Sequence, residues 1–450
     1  MASLSVEMRV ALVLKDGPMK PSPVTAVVDQ PGPTGGRHAI YFLFAADAIS
    51  LIGNQLTVIA IPWFVLETTG NAVQAGLIAI ANILPIILAG FFGGTLVDRL
   101  GYKRMSVVAD IASGITILFI PILFGIGLLP FWALWVLVFL GGLLDAPGST
   151  ARAALVPELA EAAGMPLERA GSLLQIVDRS SRLLGAPLAG LLVATMGAQN
   201  ILLLDAVTFA ISAAMVAVLV PAFQTAASTK RQHYMADLIE GLRFLHRDRL
   251  LLVIVGTVMI SNALDAAKGA VILPVYALEI FDSSVALGFM FGLSGGGAII
   301  GALAYAAVGH RLSRRWVFVG AFIAVSLPVF VLAMTLSLWV VLLVHFLAGV
   351  ASGPINPVIS TVKFERVPPN MRGRVFGTIT AGAWMAMPLG VMLGGYGIEL
   401  AGLIPTLLIV GILYLAMTLS LAFNPILKLM DVRIESGQGR RESESRAIRL

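Results

Sequence analysis

The residues best able to do chemistry in this 450-residue chain stand inside stretches that are otherwise apolar. Asp47, Ser50 and Asn54 fall at i, i+3 and i+7; Ser261, Asp265 and Lys268 fall at i, i+4 and i+7. Either spacing places three polar groups on one face of a helix. Asp145, Asp178 and Asp205 also fall within candidate spans, as do His345, Ser352 and Asn356. A charge at the centre of a bilayer-crossing helix costs at least ~2.5–3.5 kcal/mol. Groups kept at that cost mark a route for ions or polar solutes, or else pairs that neutralise each other. The second reading is open for Asp265 with Lys268, three residues apart, and for Asp178 with Arg182, four apart. A carboxyl group stripped of water favours its neutral form. It can therefore hold a proton and a cationic or polar solute in alternation. The chain has no cysteine, so a thiolate metal site is excluded. It has no phosphate-binding loop with its Lys-Ser/Thr, no zinc motif and no nucleophile elbow, which disfavours an ATP-driven pump and a membrane enzyme. No cofactor and no metal is expected.

The elements that position these residues follow from composition. Hydrophobic residues make up 58% of the chain and charged residues 12%, half the share of a soluble protein at roughly 25%. Mean hydropathy is +0.93. The apolar excess must face lipid, and a spanning helix needs about 20 such residues. Twelve stretches qualify, near 39–66, 71–97, 105–127, 131–151, 172–196, 199–221, 250–279, 284–309, 316–336, 338–362, 375–400 and 404–427. The fold class expected is an all-α integral membrane protein of twelve spans. A polar arm, 1–38, precedes a six-helix bundle over 39–222. A central loop over 223–249 carries an amphipathic helix around 235–245, a second bundle covers 250–427, and a tail covers 428–450.

Charge placement orients the chain. With both termini on one side, 29 of the 30 Lys and Arg residues fall in the arm, the 2–3, 4–5, 8–9 and 10–11 loops, the central loop and the tail. Arg152 belongs to the 4–5 group in this count. The exception is Lys268, inside span seven, and the opposite loops hold none. Cytosolic termini follow from the positive-inside rule. The net charge of +5 is thus spent at the lipid surface, and no nucleic-acid partner is expected.

The chain also repeats itself. Ile59-Ala-Ile-Pro-Trp-Phe-Val-Leu-Glu67 matches Val271-Ile-Leu-Pro-Val-Tyr-Ala-Leu-Glu279 at an offset of 212, and Arg99-Leu100 falls on Arg311-Leu312. Further on the offset is 207, with Phe139, Gly142 and Pro147 answered by Phe346, Gly349 and Pro354. Two copies of a six-helix unit around a central cavity describe a transporter.

The 2–3 loop reads Gly94-Thr-Leu-Val-Asp98-Arg99-Leu-Gly101-Tyr-Lys103-Arg104. It resembles motif A of the major facilitator superfamily and lies where that family carries it. Pro62-Trp-Phe-Val-Leu66, Val107-Val-Ala-Asp-Ile111, Leu293-Ser-Gly-Gly-Gly-Ala298, Gly353-Pro-Ile-Asn-Pro357 and Arg372-Gly-Arg-Val375 resemble a drug-exporter branch that includes macrolide efflux proteins and the multidrug pump Tap. The resemblance implies that spans one, four, seven and ten line the cavity. It implies that Asp98 caps span eleven, and that Arg99, Lys103 and Arg104 bridge the halves in one transport state. It implies a multi-pass protein of the bacterial inner membrane, acting as a monomer. Two departures stand out. The antiporter motif of span five is altered to Gly185-Ala-Pro187-Leu-Ala-Gly190, which keeps the small-residue kink with shifted spacing. The family's arginine in the membrane part of span four is read as missing, with Asp145 offered instead.

The function expected is secondary active efflux of amphipathic drugs by alternating access, with protons as the coupling ion and antiport as the mode. A dedicated exporter of one metabolite, such as a siderophore or a lipid, is the nearest alternative; a non-transporting sensor or scaffold stands further off. Asp47, Asn54, Asp145, Asp265, Lys268 and His345 are the candidates for coupling or substrate contact. Trp384, mid-span beside Met385 and Met387, joins them as a flexible apolar wall. Trp132, Trp135, Trp339 and Trp316 sit at helix ends, as interface aromatics do.

Overall fold

The structure is a computed structural model that describes residues 33–223 and 234–432, with the side chains of 33–37, 89–99, 234–238 and 370 outside the description. Lipid offers backbone groups no hydrogen-bond partners, so an apolar chain of this length satisfies them within helices. The first six spans are Pro33–Thr69, Ala72–Leu100, Tyr102–Gly125, Phe131–Ala162, Leu167–Met196 and Ala198–Leu219. An amphipathic helix, Tyr234–Arg247, precedes span seven. That span is Arg249–Ala267, a π-helical turn Lys268–Ile272, and Leu273–Phe281. Span eight is Ser284–Val308 and span nine Arg314–Ala333. Span ten is broken between Leu338–Ser352 and Ile355–Arg366, where Pro354 cannot donate. Span eleven is broken at Ala386, between Arg372–Met385 and Met387–Ala401, just before Pro388. Span twelve is Leu403–Phe423.

Among the described residues, ten of these spans are long and apolar enough to cross a membrane. The other two expected spans are helical at their places. Of span two, Ala72–Leu88 is the apolar part among the described residues, and the first half of span five is polar. The chain is a multi-pass membrane protein. Three boundaries move. Span one begins at Pro33, inside the expected arm; span four runs on to Ala162, well past the expected 151; and a 3-10 helix, Pro425–Met430, packs Leu427 and Met430 into the second half where the tail was expected to begin.

Helix starts bear out the repeat. Spans two and three begin 212 residues before spans eight and nine, and span four begins 207 before span ten. Spans five and six begin 205 before spans eleven and twelve, a third offset that the sequence matches had not exposed. Gly197 and Gly402 stand 205 apart, at φ 80° and 87°, and each opens the last span of its half. Only glycine takes that backbone without strain.

The two halves meet along spans two and eleven and along spans five and eight. A side chain at Gly190 would strike the Ser284 carbonyl, and one at Gly288 would lie 2.6 Å from the Ala186 carbonyl. Ser284 Oγ donates to the Gly190 carbonyl at 2.9 Å. Gly76 meets Val391, and Gly395 meets Ala72 and Val73. All of these contacts lie toward one end of the molecule, called here the neutral end because its loops carry no Lys or Arg. There a single apolar core unites both halves, with Ile59, Ile78, Val193, Val271, Leu287 and Val391 among its members. At the opposite, basic end each half has its own core. Leu43, Leu155 and Val216 belong to one; Leu250, Phe318 and Val375 belong to the other. Among the described residues, then, the halves are sealed at the neutral end and separate at the basic end.

Candidate functional site

Span four supplies the centre of the first half. Arg152 lies seven residues beyond Asp145, hence on the same helix face. Its side chain is 1% exposed. Nε donates to Asp47 of span one at 2.8 Å, and one terminal nitrogen donates to Asp110 of span three at 2.6 Å. The other donates to Ser50 at 3.3 Å and lies 3.9 Å from Asp145. Ser212 of span six donates to the second oxygen of Asp110 at 2.7 Å, and Asn54 donates to Asp145 at 3.0 Å. Three spans thus meet at one guanidinium, and span six joins them through Asp110. Burying such charges is tolerated only where geometry and hydrogen bonding are this complete. The cluster still has three carboxylates against one cation. Asp145 is its member nearest open space, with a side chain 19% exposed against 9% for Asp47 and none for Asp110. Oδ1 of Asp145 accepts no hydrogen bond among the described residues.

Arg152 corrects the sequence reading on two points. It is not a loop cation, because the helix continues past it. An arginine does stand within the helix of span four, buried in the bundle. The hydropathy limit at residue 151 hid it, although its seven-residue spacing from Asp145 was available. Ser212 and Thr57 were missed as well, and Asp110, within the segment 107–111, was not read as a site residue. Asp47 was expected to face the cavity; it is buried against Arg152 instead. Asp205 is fully buried and accepts from Thr57 and from Thr208, an approach that Gly53 makes possible by lacking a side chain.

In the second half Asp265 accepts from Lys268 at 2.7 Å and from Tyr414 of span twelve at 2.9 Å, and Ser261 bridges both groups. Lys268 begins the π-helical turn, and its ammonium lies 5.9 Å from the Tyr414 ring centre. The Asp265 side chain is 39% exposed. Asp178 and Arg182 form the expected i,i+4 pair, with side chains 38% and 61% exposed. These charges face open space outside the helix packing. His345 is buried away from that space, with Nδ1 against the Val341 carbonyl at 2.8 Å and Nε2 unpartnered among the described residues. Trp384 borders a cavity described below.

Span five runs through Pro187 as one helix. Its small residues serve close crossings: Gly185 on Gln55, Pro187 on Gly292, and Gly190 on Gly288. In motif A, Gly101 takes φ 79° and leads into span three, whose first turn holds Lys103 and Arg104. Gly94, Asp98 and Arg99 lie in helical backbone, and their side chains fall outside the described residues. Trp132 and Trp339 are exposed at the neutral end as interface aromatics, whereas Trp135 donates to the Leu77 carbonyl of span two at 3.0 Å.

The sequence profile of the Major Facilitator Superfamily matches residues 43–307 and 258–445. The chain belongs to this superfamily. Among its relatives, the multidrug efflux pump Tap of Mycolicibacterium fortuitum is 31% identical over 400 residues, covering 87% of this chain and 97% of that protein. Macrolide efflux protein A of Streptococcus pyogenes is 24% identical over 374 residues, covering 78% and 87%. Among solved structures, the nucleoside transporter NupG superposes with a TM-score of 0.72 at 12% identity, over 85% of this chain and 98% of that one. A bacterial homologue of the lysosomal transporter Spinster, in an inward-facing and unoccupied conformation, gives 0.61 at 13% identity, over 90% and 98%. These likenesses establish the superfamily fold, and transport rather than catalysis is the work of the family.

Proposed function

We propose that this superfamily member exports amphipathic small molecules from the cell by alternating access, in exchange for protons. The observation that carries the reading is the surplus of carboxylate over guanidinium around Arg152, in a protein whose halves pack together at one end and apart at the other. A buried group with that surplus takes on and gives up protons as its exposure changes. Asp145, at its mouth, is the carboxylate through which cavity water reaches Arg152, Asp47 and Asp110. Asp265, held by Lys268 and Tyr414, faces the same space from the opposite half and is a second polar contact for a substrate.

On this reading the basic end is cytosolic, as the positive-inside rule favours, and the described state is open to the cytosol, ready to load. Motif A latches the basic end in the opposite state, with Asp98 at the head of span eleven. The multidrug and macrolide efflux names of its relatives support drugs as the cargo. The test is a resistance profile of deletion and overexpression strains, with and without a protonophore. Resistance that rises with expression and collapses with the gradient is expected; resistance indifferent to the protonophore would count against proton coupling.

A further inference from the structure

The two halves treat the same place in the repeat differently. At the offset of 207, Arg152 in span four corresponds to Ile359 in span ten. At 212, Ser50 corresponds to Asn262; at 205, Asp178 and Arg179 correspond to Ala383 and Trp384. In the first half this place is filled by the Arg152 side chain and its carboxylates. In the second it is hollow: a cavity of about 250 Å³ bordered by Val258, Asn262, Asn356, Ile359, Lys363 and Trp384. The break in span eleven at Ala386 lies just beyond Trp384.

We propose that this hollow between spans seven, ten and eleven is a binding subsite for the uncharged, ring-bearing part of a ligand that also carries hydrogen-bonding groups. The proposal rests on the export reading and adds to it a place and a chemistry. The walls offer a Trp384 face and the branched side chains of Val258 and Ile359, which suit a flat apolar ring. Asn262 donates to the Ala383 carbonyl at 2.9 Å, which leaves its amide oxygen to accept from a ligand. Asn356 and Thr380 supply further polar groups at the wall. Among the described lining residues none is acidic, and Lys363 lies at the rim with its ammonium 5.0 Å from the Phe376 ring centre. A cation finds no counter-charge there and meets a like charge. Drug-sized pockets run to ~300–1,000 Å³. The hollow therefore takes one ring system and its substituents, while the rest of a larger ligand lies in the open space toward Asp265. The halves thus divide the work: the first fills this place with a charge cluster, and the second leaves it empty for cargo.

The absence of cysteine from the chain makes the test clean. The probe is chloramphenicol, an uncharged aryl amide with hydroxyl groups. Its binding to purified protein is measured by equilibrium dialysis of radiolabel, with no gradient present. Ile359→Phe, which fills the hollow, is expected to weaken binding at least ~10-fold while the melting temperature matches the parent's. Independently, Ile359→Cys is expected to react with N-ethylmaleimide and to be protected several-fold by chloramphenicol, with no protection by tetraphenylphosphonium. Alkylation of Glu399→Cys, at the neutral end, should be indifferent to both. Absence of binding to the parent, equal binding by folded Ile359→Phe, or unchanged alkylation at position 359 would overturn the assignment, as would equal protection by the cation. Should Ile359→Phe fail to fold, the protection experiment decides alone. Chloramphenicol held at this hollow by a protein that confers no efflux would sink the export reading and leave the subsite standing.

Discussion

Replacing Arg152 by methionine tests the ion cluster at its centre. Methionine keeps much of the length and apolar stem of arginine and removes the charge. The guanidinium is 1% exposed and donates to Asp47, Asp110 and Ser50. Its loss strands two carboxylates that are 9% and 0% exposed. Breaking a buried pair by removing one partner costs ~3–5 kcal/mol. Ser212 still donates to Asp110 and Asn54 to Asp145, so the lower end applies, about 3 kcal/mol. That is about a hundredfold in the unfolding equilibrium, at ~1.4 kcal/mol per factor of ten. Adding Asp110→Asn removes one stranded charge while keeping an acceptor for Ser212. Contacting residues couple by ~0.5–3 kcal/mol, and the double variant should recover about 1–2 kcal/mol of the loss. The assay is equilibrium unfolding in mixed micelles, followed by helicity. A loss for Arg152→Met below ~1 kcal/mol, the size of an unremarkable substitution, would refute the reasoning. So would a double variant less stable than either single one.

Two further outcomes follow from the geometry. Gly190→Val places a side chain against the Ser284 carbonyl at the crossing of spans five and eight; it should loosen the seal at the neutral end, so that a cysteine introduced at Ala286, buried there, reacts with a membrane-impermeant maleimide only in the variant. Arg374 of span eleven donates to Glu240 of the amphipathic helix at 2.6 Å, and Gly241 of that helix sits on Thr378. This pair is half-exposed and contributes roughly 0–1 kcal/mol, so Glu240→Gln should leave global unfolding nearly unchanged while speeding limited proteolysis around the helix; equal proteolysis would mean that the helix is held without this pair.

Much of this architecture was legible in the sequence because lipid imposes a simple rule. Apolar length sets the spans, and charge exclusion from one set of loops pairs their ends. The repeat was visible where helix ends carry matching residues, as at Leu66-Glu67 and Leu278-Glu279. Its third offset was not, because spans five and eleven have diverged: one carries Asp178, Arg179 and Arg182 where the other has Ala383, Trp384 and Met387. The paired groups Asp265 with Lys268 and Asp178 with Arg182 were readable from helical spacing alone. Arg152 was not, since a hydropathy window ends a span at the first polar run, whereas a helix ends only where its hydrogen bonds do. Asp47 was read as a cavity group for the same reason. Without its cation, nothing in one dimension showed that spans one, three and four turn their charges toward each other.

The central claim is exchange of cargo for protons through the Arg152 cluster. Its most direct measurement uses the purified protein in liposomes with an imposed pH gradient and a drug to which overexpressing cells are resistant. Drug flux should follow the direction of the gradient and stop when a protonophore collapses it. Asp145→Asn, at the mouth of the cluster, should lose the response to the gradient and still exchange labelled for unlabelled drug. Flux of equal size without a gradient, or a full gradient response in Asp145→Asn, would contradict the account.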